Sequence, residues 1–264
     1  MDLHLQGKSV VITGGTEGIG KALAFAFLEE GAKVAVCGRS REKREALEKE
    51  VAAKGFDILC MEGDVGREAD MDAFAKAAAT RHGGIDVWVN NAGYVNRKCM
   101  LDYTMEEYDA LMNTNLRAVF YCSRLAAGYM KEKKSGVILN ASSWAALMPQ
   151  ADTAIYGVAK AGVSCMTRAL AATLAPYGIR VNAYRPGVIA TEINLKNAGA
   201  QSGKFTKNIA MDRMGTPEEM ARVIVFLASD AASYVNGVDI EVSGGKFAVQ
   251  DCQMSWDWMR QGQL

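Results

Sequence analysis

The sequence predicts an α/β fold, a single domain in which a parallel sheet is covered by helices on both faces. Short apolar runs alternate regularly with longer stretches of helical period. No Pro/Gly/Ser-rich linker, low-complexity tract or internal repeat interrupts them. The 264 residues, 50% of them hydrophobic, are enough to fill one large core.

Taken in order, KSVVIT, KVAVCG, DILCME, DVWVNN, GVILNAS and IRVNAYRPG read as strands, with helical sequence between most of them. The charged stretch REKREALEKE after the second strand reads as the solvated face of a helix, without a function. Thr104 with Glu107, and Thr216 with Pro217 and Glu219, fit capping boxes at helix starts.

Charge and composition narrow the function. Lys+Arg and Asp+Glu both total 30, so no net basic field gathers nucleic acid or an anionic membrane. The N-terminus has no basic flank followed by an apolar core, and no apolar stretch reaches the roughly 18 residues of a spanning helix. The expectation is a soluble, cytoplasmic protein with neither nucleic-acid nor membrane partners. Cys37, Cys60, Cys99, Cys122, Cys165 and Cys252 lack C-x-x-C spacing and read as reduced, mostly buried thiols. With His4 and His82 the only histidines, no metal site is expected.

The loop TGGTEGIGKA, Thr13 to Ala22, parses two ways. From Gly15 it nearly matches an ATP-binding P-loop, but Ala22 replaces the hydroxyl residue that ligates magnesium. From Gly14 it is a dinucleotide turn: Gly14 permits the tight turn, Gly18 admits a pyrophosphate, and Gly20 lets the helix sit against the sheet. The second parse is preferred, although glycines also serve ordinary turns.

In YGVAK, Tyr156 and Lys160 are four residues apart and share a helix face. A lysine ammonium about 4 Å from a phenol favours its ionised form by up to about three pKa units. The expectation is that Lys160 and an oxidised nicotinamide together bring Tyr156 into the range for proton transfer. Ser143, thirteen positions before Tyr156, ends a strand where ligands gather in open α/β sheets. Ser142 is the alternative for that role.

These residues resemble the short-chain dehydrogenases/reductases in their compact single-domain branch. The likeness covers essentially residues 5 to 245 and rests on TGGTEGIG, GDV at Asp64, NNAG, NTNL, SS ending at Ser143, YGVAK, RPGVIAT, RMGTPEEMA and VNGVDIEVSGG. It implies a Rossmann-type, doubly wound, seven-stranded parallel sheet and a catalytic set of Asn115, Ser143, Tyr156 and Lys160. By the family pattern Ser143 orients the substrate oxygen, Tyr156 exchanges the proton, and Lys160 also binds the nicotinamide ribose. Asn115 holds a water from a break in its helix. The resemblance places Gly14, Thr16, Gly18, Ile19, Gly20, Asp64, Val65, Asn91, Ala92, Gly93, Pro186, Gly187, Ile189 and Thr191 around the dinucleotide. It sets Asn90 near the adenine ribose and Thr191 at the carboxamide. It also implies a homotetramer or dimer.

The implied activity is hydride transfer between nicotinamide and a small secondary alcohol or ketone: cyclic, steroid-like, or a sugar or polyol. The alternative is a catalytically idle NADP-binding regulatory protein of the same fold. At the end of the second strand Gly38 and Arg39 stand where NAD enzymes usually carry an acid, which predicts NADP, with NAD the alternative. Glu17 opposes this weakly, through an exposed charge that pairs with Arg39 or turns to solvent. Tyr94, Trp144, Met148 and Gln150 are candidate substrate contacts. Residues 192–215 are read as a lid, on which Lys196, Lys204 and Lys207 are more simply solvated than anion-binding. The tail, 246–264, carries Trp256 and Trp258 and is expected to dock over the substrate mouth.

Overall fold

The computed structural model describes residues 2–198 and 206–263. Seven strands form one parallel sheet: β1 Ser9–Thr13, β2 Lys33–Gly38, β3 Ile58–Glu62, β4 Val87–Asn90, β5 Gly136–Ala141, β6 Ile179–Pro186 and β7 Asp239–Val242. Their order is β3-β2-β1-β4-β5-β6-β7. Six coincide with the apolar runs. The seventh has only four residues, none fully buried, so its apolar signal is too short to read without the surrounding motif.

The helices are α1 Gly18–Glu29, α2 Arg41–Ala53, α3 Glu68–His82, α4 Met105–Met112, α5 Ala118–Met130, α6 Ala154–Leu174, α7 Glu192–Ala198, α8 Pro217–Ala228 and α9 Met254–Arg260. The period of two along each strand divides the core. On β1, Val10 and Ile12 face a cluster with Leu23 and Phe27 of α1, Leu47 of α2 and Ile224 of α8. Val11 faces the other way, towards Phe74 of α3, Met130 of α5 and the fully buried Trp88. Helices therefore cover both faces, as the strands' apolar character requires. Thr104 and Thr216 form the two expected capping boxes, and Ser40 caps α2 by accepting from the Lys43 N–H.

β1 pairs with β2 on one side and with β4 on the other, Val10 opposite both Val34 and Val87. The strand order reverses there, opening a crevice at the C-terminal ends of β1 and β4. Among the described residues no helix is long and apolar enough to cross a membrane.

One assignment is corrected. Asn90 does not reach a ribose position: it is 3% exposed, and its amide donates to Ser123 Oγ at 3.0 Å and Asn140 Oδ1 at 2.8 Å while accepting from Trp88 Nε1. Asn140 continues the chain to Thr167 Oγ1. This buried amide network ties β4 and β5 to α5 and α6, so Asn90→Ala should lower the unfolding free energy by roughly 1–3 kcal/mol in urea titrations, the cost of stranding buried partners. A loss of a few tenths would mean that the network contributes little.

Candidate active site

At the end of β1 the chain turns through Gly14, whose φ of +63° places it in the left-handed region. Helix α1 then packs so closely that a Cβ on Gly20 would lie 2.1 Å from the Gly14 carbonyl oxygen. Its N-cap residue, Glu17, makes no side-chain cap, so the first N–H groups of α1 keep their capacity for an anion. Across the crevice, Thr13 Oγ1 accepts from the N–H groups of Asn91 and Ala92 at 3.1 and 3.2 Å. The Asn91 amide donates to the carbonyls of Thr13 and Gly14 and accepts from the buried Tyr184 phenol.

These elements enclose a cleft of about 430 Å³. Gly14, Thr16, Gly18, Ile19, Gly20, Arg39, Asp64, Val65, Asn91, Ala92, Gly93 and Thr191 all line it. Pro186, Gly187 and Ile189 do not; Pro186 ends β6, a Cβ on Gly187 would meet Ser243, and Ile189 is buried in a bridge to Gly215. A glycine cradle, an uncapped helix start and a polar far end suit a dinucleotide. A larger cavity of about 610 Å³, lined by His4, Lys8, Asp86 and Arg180 among others, sits at the N-terminal ends of the strands, away from the place where open α/β sheets collect ligands.

At the far end of the cleft, Glu17 pairs with Lys43 at 2.5 Å rather than with Arg39. Arg39 is 77% exposed, its nearest acid Asp64 at 3.9 Å. Lys43 lies within the stretch read as a functionless helix face, yet it and Ser40 line the cleft. Its position in the first turn after β2 was the available signal. Arg44 of the same stretch clamps the carbonyls of Gly38 and Arg39.

Asn115, Ser143, Tyr156 and Lys160 come from three places. Asn115 is fully buried in a single π-helical turn, Asn113–Arg117, between α4 and α5, and its amide holds the Tyr94 backbone from both sides. Gly93 lies between Asn115 and Lys160: a Cβ there would be 2.7 Å from Asn115 Oδ1 and 3.3 Å from Lys160 Nζ. Ser143 follows β5, and its hydroxyl lies beside the Tyr156 phenol, favouring the ionised form. Ser142 is accounted for elsewhere, bonded to Ser164 Oγ and the Lys160 carbonyl.

Of the two positive charges expected to lower the Tyr156 phenol, the protein's own, Lys160, does not do so alone. Burial raises the Tyr156 phenol above its ordinary value; Ser143 and, more distantly, Arg97 oppose this without reversing it. Lys160 Nζ stands 5.7 Å from the Tyr156 ring centroid and donates to the Ala141 carbonyl at 2.7 Å. Burial lowers Lys160 to about 8. The ammonium thus anchors the helix, and its direct effect on the phenol is too small to overcome burial.

Of the residues expected to contact a substrate, Tyr94 lines the cleft, and Trp144 packs against Phe247 at 5.7 Å between ring centroids. Gln150 Oε1 accepts from Arg97, which also pairs with Asp152 at 3.0 Å. Arg97 escaped sequence reasoning because its loop carries no motif. Met148 is half exposed. The region read as a lid, 192–215, contains α7; its Lys196 pairs with Glu192, its Lys207 is exposed, and its Lys204 lies outside the described residues. In the tail, Trp256 Nε1 donates to the Ala210 carbonyl at 2.7 Å, while Trp258 is 42% exposed. All six cysteines are free, but Cys99 and Cys165 are exposed rather than buried. Among the described residues no group of three or more His, Cys, Asp or Glu side chains could hold a metal.

A family profile described as "Enoyl-(Acyl carrier protein) reductase" matches residues 14–246. The 3-oxoacyl-[acyl-carrier-protein] reductase FabG of Staphylococcus aureus is 35% identical over 241 residues, covering 91% of this chain and 98% of that protein. An uncharacterized oxidoreductase of Thermotoga maritima is 36% identical over 253 residues, covering 94% of this chain and 100% of its own. Among solved structures, a short-chain type dehydrogenase/reductase from Mycobacterium marinum superposes with a TM-score of 0.87 at 35% identity, covering 94% of this chain and 98% of that one. A putative gluconate dehydrogenase from Agrobacterium tumefaciens gives 0.88 at 31%, covering 94% and 99%.

The depressed Lys160 pKa has a consequence for stability. From about 8 up to the ordinary 10.5 the unfolded chain keeps a proton that the native lysine has lost, so this group favours folding more as pH rises through that window. The difference in unfolding free energy between the wild type and Lys160→Met should therefore rise with pH there, by no more than about 1.4 kcal/mol per pH unit. Urea titrations showing a flat difference would contradict it.

Proposed function

Because the chain belongs to the short-chain dehydrogenase/reductase family, we propose that it moves a hydride between NADP and the carbonyl carbon of a small ketone or secondary alcohol, with Asn115, Ser143, Tyr156 and Lys160 as its working residues. The observation that carries this reading is a buried phenol with a seryl hydroxyl beside it and a buried ammonium next to Gly93, which lines a cleft suited to a dinucleotide. A bound nicotinamide supplies or accepts the hydride. The uncapped start of α1 and the glycine turn hold its phosphates, with Asn91 to Gly93 and Thr191 flanking the cleft.

In the reducing direction Ser143 Oγ donates a hydrogen bond to the substrate carbonyl oxygen, and Tyr156 gives that oxygen its phenolic proton. In the oxidising direction the phenolate takes the proton back. A raised phenol pKa keeps Tyr156 protonated at neutrality, which suits the reducing direction. Lys160 positions the site through Ala141 and holds positive charge near the phenol when protonated. The Asn115 carboxamide keeps the Tyr94 backbone in place and faces the gap beside Lys160, where a water can relay the proton.

Two cations support the choice of NADP. Arg39 is exposed at the end of β2, and Lys43 neutralises Glu17, the acid that would otherwise oppose a 2′-phosphate. Exposed Tyr94, Val95, Leu147 and Met148, in the segments that follow β4 and Ser143, support a ketone with a hydrophobic body, cyclic or steroid-like; sugars and polyols remain in the class through Gln150. Exposed Phe120 and Tyr129 on α5 support self-association.

A nicotinamide absorbance screen of carbonyl compounds should reveal NADPH oxidation that Tyr156→Phe reduces by about a hundredfold or more. Turnover that survives the substitution, or none with any carbonyl, would sink the catalytic reading and leave the idle binding protein. Arg39→Asp should lower the NADPH-to-NADH ratio of kcat/KM by about ten- to a hundredfold, the worth of a charge-assisted bond. An unmoved ratio would remove the NADP assignment.

A further inference from the structure

Lys246 follows the Ser243–Gly245 turn at the end of β7 and is only 9% exposed. Its Nζ lies 4.5 Å from the ring centroid of Trp144 and 4.6 Å from that of Phe247. Trp144 is the residue directly after Ser143, so the aromatic corner that holds the ammonium adjoins the Ser143 turn. Among the described residues no carboxylate pairs with it, and its one hydrogen bond is from its backbone N–H to Ser243 Oγ.

Several other lysines differ. Lys21, Lys43, Lys98 and Lys133 each have an acid within 2.7 Å. A lysine normally carries its charge to water along its flexible stem. Here the stem is nine-tenths buried on a fixed backbone: Lys246 bridges Ile209, the Phe247 N–H donates to the Asn208 carbonyl, and Phe247 itself is held at φ +55°. That conformation is uncommon for a bulky side chain and persists where the surroundings impose it. The two rings offset part of the cost of burial by cation–π attraction, while Nζ itself keeps contact with solvent, so its N–H donors are open to an acceptor from outside. Arg97, the other substrate-side cation, is already paired with Asp152. The ionisable group that acts on Lys246 is Cys252, a thiol.

We propose that Lys246 recognises a carboxylate on the substrate, making this protein a reductase or dehydrogenase of keto or hydroxy acids. The inference rests on the hydride-transfer reading above and names its substrate class. A carboxylate fits better than a phosphate: one ammonium between two apolar rings matches a single charge with an apolar body, whereas a phosphate calls for several donors.

The test uses the full chain and matched substrates, 3-oxocyclohexanecarboxylate and its methyl ester, with gluconate and sorbitol as an oxidative pair. The wild type should favour the acid over its neutral partner in kcat/KM by about ten- to a hundredfold. Lys246→Met should bring that ratio to about one, and Lys246→Arg should restore part of it. An equal ratio in wild type and Lys246→Met, or a wild type that prefers the ester, overturns the inference and leaves the hydride-transfer reading intact. Conversely, absence of Tyr156-dependent turnover with any carbonyl removes the reading itself. Binding is followed separately: titrating the acid with NADP⁺ present should quench tryptophan fluorescence saturably in the wild type and not in Lys246→Met, and lack of quenching in the wild type overturns the inference whatever the turnover.

Discussion

A single hydrogen bond, from Lys160 Nζ to the Ala141 carbonyl, joins the long helix α6 to the last residue of β5. Because both groups are buried, the bond works in a low dielectric and neither partner has water as an alternative. Everything chemical is measured from it. Ser143 stands two residues beyond Ala141 on the strand side, and Tyr156 one turn before Lys160 on the helix side. Their approach is therefore a property of the β5–α6 junction rather than of a mobile loop. The same burial that strengthens the bond depresses the lysine's basicity, so the anchor and the lowered pKa belong to one side chain.

The nucleotide crevice is secured by a different means, the absence of side chains together with one hydroxyl. Gly20 brings α1 against the Gly14 carbonyl, and Thr13 gathers two backbone N–H groups from the strand's opposite neighbour. The walls of the crevice are thus backbone held by backbone. Among the side chains that do enter it are those of Arg39, Lys43 and Tyr94.

Much of this was legible in the residues. Parallel strands buried on both faces write themselves as continuous apolar runs, which is why six were readable, while β7, half exposed and four residues long, was not. Tyr156 and Lys160 declared a shared helix face through their spacing, and the glycine turn through its pattern. Ser142 and Ser143 were indistinguishable from local sequence; the partners that occupy Ser142, Ser164 and the Lys160 carbonyl, come from a helix some twenty residues away. Asn90 misled for a related reason, since an amide at a strand end says nothing of whether its neighbours are ligand or core. Lys43, Arg97 and Lys246 acquire meaning only through tertiary neighbours, Glu17, Asp152 and Trp144 respectively, and a lysine or arginine in an ordinary stretch carries no advance notice of them.

The strand order also bears on how the polypeptide reaches this state during synthesis. The first three strands can associate as soon as they emerge, yet the inner edge of β1 waits for β4, so Val10 finds its partner Val87 only seventy-seven positions further along the chain. Until then a nascent β1 presents open N–H and C=O groups flanked by apolar side chains, the kind of template on which neighbouring chains stack. Slower translation before β4, or scarcity of a holding chaperone, would for that reason favour aggregates seeded by the amino-terminal third of the molecule.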